Sequence, residues 1–438
     1  MEEKKSTTME SKAMSRVGDS ERQSWLSIAF IWIGTMICIP MLMVGGLFST
    51  SMTFGSIILA AALGFGICCL IMTLTGIQGT DLGLPCYMCA TKGFGDRGSS
   101  YLMSVIIFVG QLGWFGIQTT ACATAFCKLL GSWNVSMPLW LSCIIWGAVM
   151  LVTAVYGFKM MKILNYIAVP ALVLMCGYGA IHAVGMVGMD AITSYVPETA
   201  MPLGAAVSTC MGLFAIGTVI NSDYSRYAKC RADTVKASVL GVLPAAILMI
   251  LIGAIMAFAA GDYDITNVFA SMGLPILSML VLILATWTTN TGNAYTVGLA
   301  AMKITGLPDK KRPLITLGCG IIGILLAMTG LANALESWIG IISSIVPAVA
   351  GVMIADYWFI GKGKPENWHP VKGFNWIGIL AWAAGSVVAL FFSFFSQALD
   401  SILVSLVAYL LLYAAFGKTA LAGKGAMTVE EAEKSVQA

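Results

Sequence analysis

The stretch TWTTNTGNAY, residues 286–295, places six hydroxyl and amide side chains directly after the apolar run LPILSMLVLILA. That run is typical of a membrane-spanning helix, in which polar groups are tolerated only where they face protein or a water-filled cavity. At helical spacing, Ala285, Thr288 and Thr289 share one face. A carbonyl and two hydroxyls on one face predict a site for a hard monovalent cation such as sodium.

Two further groups extend this prediction. Asn290 and Asn293 are expected to project toward a neighbouring cavity, and freed carbonyls of Gly34 and Ile37 would complete the cation shell if the first apolar run unwinds there. The alternative is that each threonine hydroxyl donates back to the carbonyl four residues earlier, which is frequent in membrane helices. A threonine pair followed by two asparagines favours binding over that alternative.

A second polar cluster lies in GQLGWFGIQTTACAT, residues 110–124. Gln111, Trp114 and Gln118 stand at i, i+3 and i+7 and share a helical face. An indole flanked by two amides suits a flat, polar, aromatic ligand, which stacks on the ring and bonds at its edge. The alternative is a glutamine contact between helices, with the tryptophan as packing.

The elements that must position these residues are membrane spans. The chain has 438 residues, 58% of them apolar and 10% charged, whereas a soluble domain carries about 25% charged residues. The apolar runs predict an all-α polytopic membrane protein. The twelve predicted spans lie near 25–50, 53–79, 100–130, 138–157, 162–187, 203–221, 236–260, 274–304, 313–331, 337–360, 374–396 and 399–417.

Charge sets the orientation. With twelve spans, every lysine and arginine except Lys128 falls on one side, together with both termini. The positive-inside rule therefore places both termini in the cytoplasm, in a plasma (inner) membrane. We expect residues 1–24 to be a disordered cytoplasmic tail, 25–417 a single transporter domain and 418–438 a second cytoplasmic tail. The opposite side is mostly acidic, with Asp190, Glu198, Asp262, Asp264, Glu336 and Asp400.

Two spans carry helix-weakening residues at membrane depth. Span 1 contains Gly34, Pro40 and the pair Gly45–Gly46, and span 6 contains Gly212 and Gly217, followed by Asn221. Glycine and proline are also common packing and kink residues in membrane helices. Paired interruptions five spans apart instead predict a transporter built on a five-plus-five inverted repeat, with spans 11 and 12 added.

The motifs GQLGWFGIQ, GLF…SDYSRY, TTN…N.Y and IADYW resemble those of the nucleobase–cation symporters, the purine/cytosine permeases, and most nearly the cytosine permeases. The resemblance covers residues 22–417. It implies the inverted-repeat fold of the leucine transporters and import of a nucleobase, cytosine first, with sodium by alternating access. It also implies a sodium site at Gly34, Ile37, Ala285, Thr288 and Thr289, and a base site at Gln111, Trp114, Gln118, Phe214, Ala215, Ile216, Asn290 and Asn293.

Trp114 and Phe214 would then cover the two faces of the base. The sequence departs from the cytosine permeases at two points: their usual TTNDN is altered at Thr291 and Gly292, and a serine expected two residues after Phe214 is Ile216. Because a polar edge is lost, the ligand could be cytosine, another pyrimidine such as hydroxymethylpyrimidine, or a purine.

Other functions fit the sequence less well. An enzyme needs an acid, base or metal cluster, and a proton-coupled carrier usually needs a titratable group at membrane depth; the spans show neither. A channel would line a continuous pore, an amino-acid carrier would bind a carboxylate at helix ends, and a substrate sensor stays possible.

We expect no disulfide, no metal at Cys86 and Cys89, no organic cofactor, no nucleic acid, a surrounding lipid bilayer, and a monomer that suffices for function.

Overall fold

The structure is a computed structural model that describes residues 16–437, apart from 157, 263, 272, 274 and 308–310. Within this part, the secondary structure is helical, with two isolated β-bridges. The α-helices are α1 Trp25–Met36, α2 Ile39–Ser51, α3 Phe54–Leu82, α4 Cys86–Cys89, α5 Thr91–Phe94, α6 Asp96–Gly131, α7 Leu139–Tyr156, α8 Phe158–Val187, α9 Met189–Ser194, α10 Leu203–Leu213, α11 Ala215–Ser225, α12 Arg231–Ala260, α13 Ile265–Ser271, α14 Pro275–Thr305, α15 Arg312–Met328, α16 Leu335–Ile345, α17 Pro347–Ile354, α18 Trp376–Phe391, α19 Gln397–Phe416 and α20 Val429–Gln437.

These helices lie where the apolar runs predicted spans. Among the described residues, eight segments are long and apolar enough to cross a membrane by length and composition, and α1 with α2 forms a ninth that is bent by 53°. Three shorter apolar helices, Leu139–Val155, Arg312–Met328 and Trp376–Phe391, lie at three further predicted spans. The chain is therefore an all-α, multi-pass protein, as the apolar runs predicted.

Both predicted interruptions occur. Span 1 breaks at Ile37 and Cys38, where the backbone leaves the helical region (φ −81°, ψ 80° and φ −147°, ψ 158°). Pro40 stands in the first turn of α2, where its missing N–H costs nothing. Span 6 breaks at Phe214 (φ −117°, ψ 12°), between α10 and α11.

Glycine has a different task at Gly45, which does not break the helix. A Cβ added there would overlap the backbone of Ile250 and Gly253 on α12. The residue allows α2 and α12 to approach closely, which is the packing role of small residues between membrane helices.

The helices pack in two main groups. The first contains α1, α2, α3, α10, α11 and α12, and the second contains α6, α7, α14 and α15. Helix α8 touches both groups through α12 and α14, while α16, α17, α18 and α19 pack among themselves and against α10. The two broken spans therefore belong to the first group, and the polar stretches of spans 3 and 8 belong to the second.

One end of the molecule, which we call the basic face, brings together residues 16–24, 81–97, 223–236, 356–375 and 418–437. Arg22 donates to the carbonyls of Thr80 and Ala228 at 3.0 and 2.7 Å. Arg231 forms a two-pronged ion pair with Asp81 at 2.7 and 2.9 Å, and the Tyr357 hydroxyl also donates to Asp81. These bonds tie several predicted loops into one layer.

The tails join this layer, which differs from the disordered tail predicted up to residue 24. Val17 is buried and its amide donates to the Gly83 carbonyl at 2.9 Å. At the other terminus, Ala426 pairs with Val371 in an antiparallel bridge, and Ser435 of α20 bonds Asp96. Residues 1–15 lie outside the described residues.

The cysteines of the basic face are thiols. All twelve cysteines of the chain are free, and among the described residues no cluster of three or more His, Cys, Asp or Glu side chains could hold a metal. Burial, reinforced by the nearby Asp223 carboxylate, raises the pKa of Cys86 well above its ordinary value, so this thiol stays protonated. Cys86 instead bonds Asp223 through its amide, at 2.8 Å, and its sulfur.

Lys128, the one basic residue on the other side, has partners there. Its ammonium bonds Asn267 and lies 3.5 Å from Asp264, next to α13. The exception in the charge pattern is thus an ion pair between the end of α6 and the residue that directly precedes the short helix α13.

The basic face also holds a buried ion pair whose loss we expect to be costly. Lys92 lies 3.7 Å from Asp356, and the two side chains are 8% and 2% exposed. Lys92→Met would leave the Asp356 carboxylate buried and unneutralised, which costs on the order of 3 kcal/mol. The expected result is a clearly lower apparent melting temperature of the purified protein in detergent.

Lys434→Met is the matched control, because Lys434 forms an ion pair with Glu430 in which the two side chains are 75% and 78% exposed. Exposed pairs contribute little, so this variant should melt with the wild type. Equal melting of Lys92→Met and the control would contradict the assignment of the buried pair as a structural tie.

Candidate functional site

Helix α6 is the scaffold of the site, and its neighbours fix which way its polar face points. A Cβ at Gly110 would press on the Ile216 side chain at 2.9 Å, so this side of α6 meets the break in span 6. On another side, the Phe115 carbonyl and the Thr119 hydroxyl contact Asn290 of α14. With 3.6 residues per turn, Gln111 and Gln118 fall in the sector between these two contacts.

Trp114 and Gln118 line this sector and are almost fully enclosed, at 7% and 2% exposure. Gln111 is half-buried. The Gln118 Oε1 atom is buried and has no hydrogen-bond partner within the protein. Leaving such an acceptor unpaired costs about 1–3 kcal/mol, so the position calls for a donor from outside the protein.

The break in span 6 supplies further unpaired groups. Ala215 and Ile216 are the first residues of α11, and the first amides of a helix have no partner within it. These two predicted base contacts therefore offer backbone N–H groups at the break. The Phe214 side chain lies against Gly217 and meets Trp32 edge to face at 5.3 Å and 87°, so its aromatic partner in the structure is Trp32.

The predicted cation ligands of span 8 converge on one atom. The Thr288 and Thr289 hydroxyls donate to the Ala285 carbonyl at 2.8 and 3.0 Å. This is the back-bonded arrangement that the sequence left as an alternative. Each hydroxyl oxygen keeps its lone pairs for a cation, but the Ala285 carbonyl becomes a ligand only when the two protons turn away.

The break in span 1 offers the other predicted ligands. The Cys38 amide donates to the Met36 carbonyl at 3.0 Å rather than to the Gly34 carbonyl, and a Cβ at Gly34 would meet open space. Ile37 has a non-helical backbone. Helix α2, which follows this break, contacts α14. The predicted ligands are all neutral carbonyl and hydroxyl oxygens, the type of ligand that a sodium ion takes.

The two span 8 amides are placed differently from each other. Asn290 is fully buried and donates to the Phe115 carbonyl at 3.0 Å and to the Thr119 hydroxyl at 2.9 Å. It thus lies in the contact between α14 and α6, which differs from the predicted contact with a base. Asn293 is half-buried and donates to Asn290 Oδ1 at 3.1 Å.

One residue of this region escaped the sequence analysis. A Cβ at Gly113 would overlap the ring of Trp338 in α16, and the Trp338 indole N–H is buried without a partner. Trp338 therefore packs against α6 at Gly113, the neighbour of Trp114 in the chain. The spacing of glycines 110, 113 and 116 in α6 was the available signal, because it marks a helix face that large side chains approach closely.

Comparison with known proteins fixes the family. The family described as permease for cytosine/purines, uracil, thiamine, allantoin matches residues 16–416. The cytosine permease of Escherichia coli (strain K12) is 30% identical over 372 residues, which cover 84% of this chain and 86% of that protein. The chain belongs to this cytosine/purine permease family.

A second relative and a solved structure support this assignment to the family. The hydantoin permease of Microbacterium maritypicum is 26% identical, over 83% of this chain and 80% of that protein. The solved structure of Mhp1 in an inward-facing conformation superimposes with a TM-score of 0.81 at 23% identity, covering 100% of this chain and 99% of that chain. The prediction of the nucleobase–cation symporter family is confirmed, and so is the fold class.

This permease should depend on the close contact between Gly113 and Trp338. Gly113→Ala would push the indole away from α6 and shift the packing next to Trp114, so we expect at least a fivefold weaker binding of the transported ligand. Ligand binding to purified protein, with the melting temperature as a check on folding, measures this effect.

Gly131→Ala, on the same helix, is the control because a Cβ there meets nothing within 4 Å. It should bind as the wild type does. If both variants bind equally well, the indole of Trp338 does not define the site.

Proposed function

We propose that this permease imports a nucleobase, with cytosine as the first candidate, together with sodium by alternating access. The observation that carries the proposal is the unpaired, buried Gln118 Oε1, one helical turn along α6 from the buried Trp114. A flat heterocycle that stacks on the indole and donates a hydrogen bond to Gln118 satisfies both groups. The 30% identity to a cytosine permease supports cytosine among such heterocycles.

The backbone break at Phe214 adds donors to this acceptor. The amides of Ala215 and Ile216 start α11 and have no partner within that helix, so they suit a ring carbonyl or ring nitrogen. Cytosine has both acceptors and donors along its edge, and the pair of a side-chain acceptor with backbone donors matches that pattern. A charged amino acid would leave the indole without a planar partner.

Sodium coupling rests on the oxygen set around Ala285. The hydroxyls of Thr288 and Thr289 and the carbonyls at the span 1 break come from the two groups of helices. A cation held between them would tie span 1 to span 8 and thereby steady the outward-open state. Inward import of one positive charge would also gain about 2.3 kcal/mol per 100 mV of membrane potential.

The proposed orientation places the basic face in the cytoplasm and the chain in the plasma (inner) membrane. Its support is the positive-inside rule, because all lysines and arginines except Lys128 belong to that side by sequence. A monomer contains every residue that the proposal uses.

Uptake of radiolabelled cytosine into proteoliposomes, with and without an inward sodium gradient, tests the proposal. We expect sodium-dependent uptake in the wild type and none for Trp114→Ala, because the stacking surface is lost. Thr289→Ala should raise the sodium concentration for half-maximal uptake at least fivefold, since one ligand is removed.

Thr291→Ala is the control for Thr289→Ala. The Thr291 hydroxyl donates in the same way to the Trp287 carbonyl at 2.7 Å, but on another side of α14. The sodium dependence of uptake by Thr291→Ala should therefore equal that of the wild type. Uptake that follows a proton gradient and ignores sodium would overturn the cation assignment. Unchanged uptake by Trp114→Ala would overturn the base site.

A second candidate ligand is another flat heterocycle. The hydantoin permease relative and the apolar Ile216 at the span 6 break favour it, because a lost polar contact shifts selectivity. Competition of cytosine uptake by hydantoin, hydroxymethylpyrimidine and adenine ranks these ligands.

A further inference from the structure

Asn290 has more hydrogen-bond partners inside the protein than any other amide of the site. Its Nδ2 atom lies 3.0 Å from the Phe115 carbonyl, 2.9 Å from the Thr119 hydroxyl and 3.2 Å from the Met150 sulfur. The side chain is fully buried. No room is left for a ligand on its nitrogen side.

The orientation of this amide is forced. A backbone carbonyl only accepts hydrogen bonds, so the atom that faces Phe115 must be the nitrogen of Asn290. The oxygen of Asn290 therefore points the other way. An amide that meets this oxygen must in turn present its own nitrogen, and Asn293 Nδ2 lies 3.1 Å from it.

The orientation of Asn293 follows from that contact. Because one N–H of Asn293 is bonded to Asn290, the amide cannot turn over, and its Oδ1 atom keeps a fixed position as an acceptor. Asn293 is half-buried and stands one helical turn beyond Thr289, at i+4. Its oxygen is thus placed next to the cation ligands and on the side of α14 that remains partly open.

We infer that Asn290 is a positioning residue, which fixes the amide of Asn293 so that its carbonyl oxygen faces the transported heterocycle and accepts a hydrogen bond from a ring N–H or amino group. This inference rests on the proposed function and adds a selectivity rule to it. The chain of bonds starts at the Phe115 backbone, so helix α6 sets the hydrogen-bonding polarity of helix α14.

Two physical effects favour this hydrogen-bonded pair of asparagines. A free asparagine amide turns over easily and offers its oxygen and nitrogen equally, so it does not discriminate a donor edge from an acceptor edge. Two connected amides anchored on a backbone carbonyl remove that freedom before the ligand arrives, which reduces the ordering cost of binding. The anchor also keeps the buried Asn290 fully hydrogen-bonded.

A double-mutant cycle tests the inference. We would measure the affinity for cytosine of the wild type, Asn290→Ala, Asn293→Ala and the double variant in purified protein. Each single change should weaken binding roughly three- to tenfold, the equivalent of one hydrogen bond. The double variant should match Asn293→Ala alone, because Asn290 acts through Asn293.

Gln118→Ala serves as the matched background, since no bond joins Gln118 to Asn290. There, Asn290→Ala should keep its full three- to tenfold effect. An Asn290→Ala effect that survives unchanged in the Asn293→Ala background would overturn the inference, because Asn290 would then act on the ligand or the fold directly.

The affinities for methylated derivatives of cytosine give a second measurement, which would not change if Asn290 had a purely structural role. In the wild type, methylation of the amino group or of the ring N–H that faces Asn293 should weaken binding at least fivefold. Asn290→Ala should remove most of that penalty, because the Asn293 oxygen is then no longer held toward the ligand and methylation has a weaker hydrogen bond left to remove. An unchanged penalty would contradict the positioning role.

The bond between the two amides is also measurable without ligand. Melting temperatures of the same four proteins should show coupling between Asn290 and Asn293, and its absence would overturn the inference whatever the protein transports. If the wild type binds none of cytosine, uracil, adenine and hydantoin, the proposed function fails, and the ligand-free cycle still decides on the bond.

Discussion

The constraint on which the rest of this structure depends is that backbone hydrogen-bonding groups cannot be left bare at membrane depth. Two spans nevertheless break there, at Ile37–Cys38 and at Phe214. Each break is tolerated only if it is enclosed by other helices or lines a site. The molecule encloses both, because α12 packs on α1 and α2, and α3 packs on α10 and α11.

Enclosing the breaks requires close packing, and small residues make it possible. Gly45 lets α2 touch α12, and Gly64 lets α3 approach α10 at Cys210. Hydroxyls then tie the helices together: Thr75 donates to the Thr218 carbonyl at 2.7 Å, and Ser222 donates to the Thr75 carbonyl at 2.8 Å. The first group of helices therefore holds its broken spans through backbone-directed bonds rather than through apolar contact alone.

Much of the fold follows from composition and periodicity. The twelve apolar runs match the helices to within a few residues at most ends, and Gly34 and Pro40 bracket the break in span 1. The short helices α4, α5, α13 and α20 and the π-helical turn Ala355–Ile360 escaped prediction. The short helices form in connections, and the π-helical turn forms at the end of the predicted span 337–360. At both places tertiary contacts, such as that of Tyr357 with Asp81, decide the backbone rather than any periodic pattern.

The candidate site was predicted less completely, and the reason is specific. A sequence shows which residues can donate or accept a hydrogen bond, but not which of them the protein itself uses. Gln118 and Asn290 have the same functional group and both lie in spans, yet one keeps an unpaired oxygen and the other bonds three atoms of neighbouring helices. Only the packing of α6 against α14 separates them.

This difference in hydrogen bonding between Gln118 and Asn290 explains how the site can be both rigid and selective. A polar group that is hydrogen-bonded to protein atoms holds a helix in place, and a group without such a partner is available to bind a ligand. Thr288 and Thr289 stand between these cases, since their protons are used at Ala285 while their lone pairs are not. A cation that attracts those lone pairs and turns the protons outward would alter the hydrogen-bonding surface one turn away, at Asn293. In the proposed function, the same helix would connect the state of the cation ligands to the edge that meets the heterocycle.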